Sequence, residues 1–395
     1  MYMFTALCAL GAEKILGNEL KLLGYKLQGN APGRVRFVGD ELALYRTNYC
    51  LRTADRVFLC LAHYKAENFD DLFDICFDIP WNLYLKKDSR VVVDKVRIYK
   101  SKLNSEHSIQ KIIQKSIYKK LGEVWNMSVF PESGETANIR IYIEENVVSV
   151  LLDTSGDPLH KRGYRKDGGE APLRETLAAV LLQEFMWRRK TPLHDPFCGS
   201  GTIPIEATLY AYNVAPGLGR HFAYENLAIY DSQKAQQVQL EEAEKIRTDV
   251  QCKITGSDIN PATVDLARLN AEHACVTAGR ALHLIGSDVH LERPDFIVSD
   301  YTELRAPYPE GLLLCNPPYG ERLGDVSEAE NLYRKMASLF ADFEGWNMGF
   351  ITSREQFESC IGKKADVSKK LKAGNFDTTL YMYRANVQNN SKGNL

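Results

Sequence analysis

The sequence predicts an α/β protein: a C-terminal part built on a doubly wound, mostly parallel sheet of Rossmann-like type, preceded by an α+β half. Three observations carry this. From Leu173 onward, helical and strand-like segments alternate, with glycine and acidic residues where strands would end. Before Asp153, strands and helices mix without that regular alternation. A chain of 395 residues also exceeds one ordinary core, so two or three domains are expected.

The opening reads as a strand over 2–9 and a helix over 13–23, whose Ile15, Leu16, Leu20 and Leu23 recur at three- and four-residue spacing. Extended chain is expected around 34–38, a helix over 40–48, a strand containing 56–62 and a helix over 69–77. The β-branched run 90–97 is strand-like. A helix over 108–121 carries Lys111, Lys115, Lys119 and Lys120, and 139–143 with 147–152 form two paired strands. This half is compatible with two small compact units. The boundary with the α/β part falls in the polar, glycine-bearing stretch 154–169, and the polar tail 386–395 is expected to be disordered.

Composition narrows the function classes. With 45% hydrophobic and 25% charged residues the chain looks like an ordinary soluble protein. No apolar run approaches bilayer length, so no membrane span is expected. Glu13, Lys14 and Glu19 interrupt the apolar N-terminus, which therefore reads as folded chain rather than a signal peptide. The nine cysteines form no metal-ligand spacing, so no metal site and no disulfide framework are expected, which suits a cytoplasmic location. The net charge of -2 argues against a wholly basic coat. Yet residues 95–120 hold eight Lys or Arg against one acid, Glu106. That stretch is either a solvated helix face or a stripe for backbone phosphates.

The segment from Leu193 to Ala207 is the strongest cofactor signal: a short strand ending in Asp195, a glycine-rich turn, and a helix from about Thr202. Gly199 and Gly201 would let backbone approach a ligand with no Cβ in the way. The turn is neither G-x-G-x-x-G nor a triphosphate loop, because the Gly-Lys-Ser/Thr is missing. Asp195 would pair with a cationic amino group at the strand end. A second strand, 254–258, ends in Asp258, and a helix follows over 261–274. A carboxylate there suits the two hydroxyls of an adenosyl ribose, or else simply caps the helix. Asp300, after the strand 296–298, is placed to accept from an adenine amino group, with Asp288 as its competitor.

The loop Asn316-Pro317-Pro318-Tyr319 follows a buried apolar strand. Consecutive prolines fix φ and remove two donors, leaving rigid carbonyls free to accept. An exocyclic amine on a base is a poor nucleophile, its lone pair being delocalised into the ring. The Asn316 side-chain oxygen and the Pro317 carbonyl can each accept an N–H and favour the pyramidal geometry of attack, while Tyr319 stacks on a flipped-out base. No strong base is required. The bland reading is a strand-terminating turn.

These residues resemble the THUMP-domain guanine-N2 methyltransferases of RNA, of the bacterial large-subunit rRNA type. The resemblance covers nearly the whole chain and rests on Leu159-His-Lys-Arg-Gly-Tyr-Arg165, Ala171-Pro-Leu-Arg-Glu-Thr-Leu-Ala-Ala179, the Asp195–Thr202 turn, Ala215-Pro-Gly217 and the stretch Asn316–Leu323. It implies a ferredoxin-like unit over 1–60, an RNA-binding THUMP unit over 61–155 and a Rossmann-like class I methyltransferase domain over 156–385. It implies S-adenosyl-L-methionine as cofactor, with Asp195, Phe197, Cys198, Gly199, Ser200, Gly201, Thr202, Asp258, Ile259, Asp300 and Asn316 as its contacts. Catalysis falls to Asn316, Pro317, Pro318 and Tyr319. The basic stretch gains a purpose, with Lys111, Lys115 and Lys119 as RNA contacts. Arg162 and Arg165 become RNA-backbone or cofactor-pocket contacts, or else a salt-bridged linker. A family member acting at two rRNA positions carries a second methyltransferase domain, for which this chain is too short, so the single N2 activity is implied. The interval between Gly201 and Asp258, with a charged helix over 231–249, is long for a minimal βαβ unit.

The expected substrate is therefore rRNA. Alternatives are tRNA guanine-N2 methylation, DNA adenine-N6 methylation (though the N-terminal half shows no helix-turn-helix or zinc-finger pattern) and a non-catalytic ribosome-assembly factor, which the intact Asn316, Tyr319, Asp195 and Asp258 oppose.

Overall fold

The computed structural model describes residues 1–165, 173–251, 253–318, 326–374 and 376–385. Tyr319 and the tail 386–395 lie outside the described residues. The chain divides into two compact units: residues 1–8, 16–159 and 220–239, and residues 9–15, 160–219 and 240–395.

The first unit is built on one seven-stranded sheet. Its strands are β1 (Tyr2–Cys8), β2 (Lys26–Ala31), β3 (Arg34–Gly39), β4 (Ala54–Lys65), β5 (Arg90–Tyr99), β6 (Thr136–Glu144) and β7 (Val147–Asp153). They lie in the order β2-β3-β1-β4-β7-β6-β5. Sequence patterning suggests two small units here, but they share this sheet. The reason is β4: at 12 residues it pairs its first half with β1 and its second with β7, shifting register between Cys60 and Ala62. Residues 220–239 also belong to this unit. Tyr224 packs edge-on to Tyr45, ring centroids 5.1 Å apart, and Phe222 packs against Tyr49 at 5.2 Å. The long interval before Asp258 is therefore partly N-terminal-unit structure, and its charged helix is Ser232–Glu244.

The second unit holds β8 (Leu193–Asp195), β9 (Ile254–Asp258), β10 (Asp295–Val298), β11 (Gly311–Cys315), β12 (Trp346–Thr352), β13 (Val367–Ala373) and β14 (Phe376–Tyr383), ordered β10-β9-β8-β11-β12-β14-β13. Strands β8 to β12 run parallel, while β14 is antiparallel to both β12 and β13. The strand order reverses between β8 and β11, and a ligand crevice opens at such a switch point, beyond the strands' carboxyl ends. Those ends carry Asp195, Asp258 and Asn316. The helix expected over 261–274 runs further, from Pro261 to Leu284.

Strand β11 is buried on both faces, as its unbroken apolar run requires. Beside it on β12, a Cβ built on Gly349 would lie 2.5 Å from the Phe185 ring and 2.6 Å from Leu314. Only glycine lets this helix–sheet contact close. Gly349→Ala is expected to destabilise the protein by about 1–3 kcal/mol through overpacking, read as a lower denaturant midpoint at unchanged slope.

Candidate active site

The crevice is a cavity of about 670 Å³ at the ends of β8, β9, β10 and β11. Of the residues singled out in the sequence, it brings together Asp195, Phe197, Cys198, Gly199, Ser200, Thr202, Asp258, Ile259, Asp300, Asn316 and Pro318. Gly201 and Pro317 are not among the lining residues. Tyr301 is a lining residue that sequence reasoning missed. Its ring packs on Phe197 at 5.1 Å, and its only signal was an aromatic directly following a strand-end acid.

The two turn glycines serve different ends. Gly199 has φ 52° and open space where a Cβ would be, and its N–H donates to Asp258 Oδ2 at 3.0 Å. Gly201, with φ 85°, begins the helix Thr202–Ala211, and a Cβ there would meet the Phe296 ring at 2.9 Å and Ala267 at 3.0 Å. Its lack of a Cβ is needed for helix–sheet packing. Asp258 also accepts from the Asn260 N–H at 3.0 Å. Asn260, not Asp258, caps the following helix, its side chain accepting from Ala262 N at 3.0 Å. That leaves the bland reading of Asp258 without its structural basis.

Asp195 is buried and accepts from the Phe197 N–H at 3.0 Å. Burial drives its pKa well above the usual carboxylate range, and the neighbouring Asp258 adds to this against the pull of the Phe197 bond. Asp300 Oδ1 accepts from both the N–H and the hydroxyl of Thr302, at 2.9 and 2.8 Å. Asp288 is exposed beside His283 and lines a different cavity. Only Asp300 of the two reaches the crevice. His194 on β8 is a neutral core group: it meets the hydroxyls of Thr255 at 2.7 Å and Ser257 at 3.1 Å, and burial lowers its pKa to about 4.

Among the described residues, Asn316 Oδ1 and Ser200 Oγ at this cavity are buried with no hydrogen-bond partner. A buried, unsatisfied acceptor costs about 1–3 kcal/mol and persists where a ligand completes it. The loop's carbonyls are not all free, as rigidity alone suggested. Pro318 O accepts from the Tyr333 hydroxyl at 3.3 Å, which also meets Thr352 Oγ1 at 2.9 Å. This anchors the loop to β12.

Arg162 and Arg165 are turned inward. Arg162 is 5% exposed, its Nε 3.6 Å from Glu206 Oε1, to which the buried Tyr164 hydroxyl also donates at 3.3 Å. Arg165 pairs with the buried Glu175 at 3.2 Å and donates to Thr202 Oγ1 at 2.6 Å. Buried carboxylates demand such partners, so neither arginine is presented to an RNA backbone. Arg165 instead touches a cavity residue. Lys111, Lys115 and Lys119 sit in the first unit, exposed along one face of the helix Glu106–Trp125.

A parallel sheet of this order, with acids closing adjacent strands and Asn-Pro-Pro after the fourth, defines the methyltransferase class of Rossmann-like domains. The chain belongs to the RMKL-like methyltransferase-domain family, whose model matches residues 162–382. The RlmL ferredoxin-like domain matches residues 3–58 and the THUMP domain 66–153. YpsC of Bacillus subtilis (strain 168), named as a candidate RNA methyltransferase, is 36% identical over 393 residues, covering 98% of this chain and 97% of its own. Ribosomal RNA large subunit methyltransferase K/L of Photobacterium profundum is 31% identical over 97% of this chain, which spans 53% of that larger protein. The crystal structure of SMU.472, a candidate methyltransferase complexed with SAH, superposes with TM-score 0.85 at 34% identity, covering 97% of this chain and 98% of its own. Among the described residues no helix is long and apolar enough to cross a membrane, and no group of three or more His, Cys, Asp or Glu is arranged to hold a metal ion.

Truncating Arg162 would strand Glu206 as a buried, unpaired charge. Arg162→Ala is expected to cost about 3–5 kcal/mol of stability, with any loss of RNA binding tracking the unfolded fraction. An Arg162→Ala protein that unfolds like wild type but binds RNA poorly would return this residue to the RNA interface.

Proposed function

We propose that this protein methylates the N2 amino group of a guanine in RNA, with large-subunit rRNA as the substrate and S-adenosyl-L-methionine as methyl donor, in the cytoplasm. The observation that carries the reading is Asn316 Oδ1, a buried acceptor without a partner among the described residues, in a cavity also lined by the carboxylates of Asp195, Asp258 and Asp300. The RNA class is supported by the THUMP match and by the names of the relatives, and the cofactor by the SAH bound to the SMU.472 protein. Guanine N2 rests on the family resemblance alone, since the loop's chemistry serves adenine equally.

The donor set fits the cofactor. Asp195 would hold its cationic amino group, Asp258 the ribose hydroxyls and Asp300 the adenine amine, with Gly199 offering bare backbone. The bound cofactor supplies an electrophilic methyl group on a good leaving sulfonium. Asn316 Oδ1 and the Pro317 carbonyl then orient the target amine by accepting its two N–H bonds, holding the lone pair toward the electrophile. Tyr319 is assigned to stacking on the base. None of these residues has to act as a strong base.

Asn316→Ala should keep cofactor affinity within a few-fold while cutting transfer to rRNA by about 10² or more, measured by isothermal titration and by radiolabelled methyl incorporation. Mass spectrometry of rRNA and tRNA from cells lacking the protein should find one N2-methylguanosine missing from large-subunit rRNA. Its loss from tRNA would move the substrate, and no loss in either would end the proposal.

Asp195 gives a pH signature. Its pKa is raised in the free protein, and pairing with a cation requires the carboxylate, so cofactor binding releases a proton. Affinity should rise with pH from the usual carboxylate range through the raised pKa and level off above it. Titration in buffers of different ionisation heat measures the proton. An Asp195→Asn variant that still releases it would refute the assignment.

A further inference from the structure

The sheet of the first unit has two unlike faces. The helix Glu106–Trp125 packs on one, burying Ile109, Ile113 and Ile117, with Gln110 Nε2 donating to Val93 O at 3.1 Å. The opposite face of β5 presents Lys95, Arg97 and Tyr99 in alternation, since successive strand side chains point to opposite sides. Beside them β6 sets Arg140 level with Lys95, Tyr142 level with Arg97, and Glu144, which is paired with Arg34, level with Tyr99.

Charge on this face is under-compensated. Asp94 is taken by Arg140 at 2.9 Å, and Lys95 and Arg97 have no ion-pair partner among the described residues. Burial together with the like charges of Arg97 and Arg140 holds the Lys95 ammonium below the usual lysine range. Tyr99 is 57% exposed, with Lys100 Nζ 5.1 Å from its ring centroid. An exposed aromatic ring with an ammonium beside it and unpaired cations along the same strand face is an arrangement that stacks a base and follows its phosphates. The helix stripe differs. There Lys119 and Lys120 already lie over the Phe77 ring of the same unit, at 5.2 and 4.8 Å.

We propose that the β5–β6 face holds an unpaired stretch of RNA, with a base stacked on Tyr99 and phosphates on Lys95 and Arg97. An unpaired stretch is required because a duplex keeps its base faces covered. The inference rests on the reading of the protein as an RNA enzyme, and it adds where the first unit grips the substrate and in what form.

The test titrates the full chain with a short unstructured RNA and with an RNA duplex of equal length, while methyl transfer to rRNA by the wild-type protein is followed in parallel. Tyr99→Ala should weaken single-strand binding roughly tenfold and Tyr99→Phe should restore it, with duplex affinity little changed. Replacing Lys95 and Arg97 by alanine should reduce the salt slope by about one to two. The platform is overturned if Tyr99→Ala binds the single strand as wild type does, or weakens the duplex equally. It is also overturned if alanine at Lys111, Lys115 and Lys119 abolishes single-strand binding while the β5 variants keep it. Transfer to rRNA alongside unaffected β5 variants removes only the platform. Absence of transfer to any RNA removes the functional reading, and the single-strand titration still decides the platform.

Discussion

The hydrogen bond from the Gly199 N–H to Asp258 Oδ2 is the constraint on which the crevice depends. It ties the turn after β8 to the end of β9, the strand beside it. It forms because Gly199 adopts φ 52°, a left-handed conformation that glycine accepts without strain. Fixing the turn in this way brings a second carboxylate close to Asp195, which is already penalised by burial. The result is a pocket whose acids are held by backbone donors and have no cationic partner among the described residues. Such a site is preorganised for a ligand that carries positive charge and hydroxyl groups together.

Behind that pocket lies a second set of buried charges, and it explains why an arginine-rich motif need not mark a nucleic-acid surface. Arg162 and Arg165 are bound to Glu206 and Glu175, residues on two different helices. Residue type alone cannot separate a solvent-facing arginine from one neutralising a buried acid, because neither partner lies within a helical turn of its arginine. Burial decides it. Through Thr202 the same network reaches the cavity wall, so Arg165 belongs to the pocket's support.

What was legible in the sequence was whatever breaks a local rule. Glycine where a helix should start, acids at strand ends and two prolines after a buried strand each stand out against the pattern around them, and each lines or shapes the crevice. The distinct duty of Gly201 was not legible, since its packing against Phe296 and Ala267 is a long-range contact. Strand β2 escaped because its residues are largely exposed and include Gly29. The joining of the two N-terminal pieces into one sheet depended on β4 pairing with β7, nearly a hundred residues apart at Phe58 and Asp153. The return of residues 220–239 to the first unit depended on ring contacts with Tyr45 and Tyr49 that no periodicity encodes.

The crevice and the basic stretch of the first unit carry opposite local charge. A pocket lined by Asp195, Asp258 and Asp300 suits a cationic cofactor but disfavours phosphate, so it cannot supply much affinity for a polyanionic substrate. The electrostatic part of RNA affinity grows with the number of phosphates neutralised, and that number is set by cations elsewhere. The chain's small net charge of -2 conceals local clusters: three carboxylates line the crevice, while residues 95–120 hold eight Lys or Arg against Glu106. On the proposed reading, substitutions at Lys95 and Arg97 should change KM and salt dependence while leaving the transfer step intact.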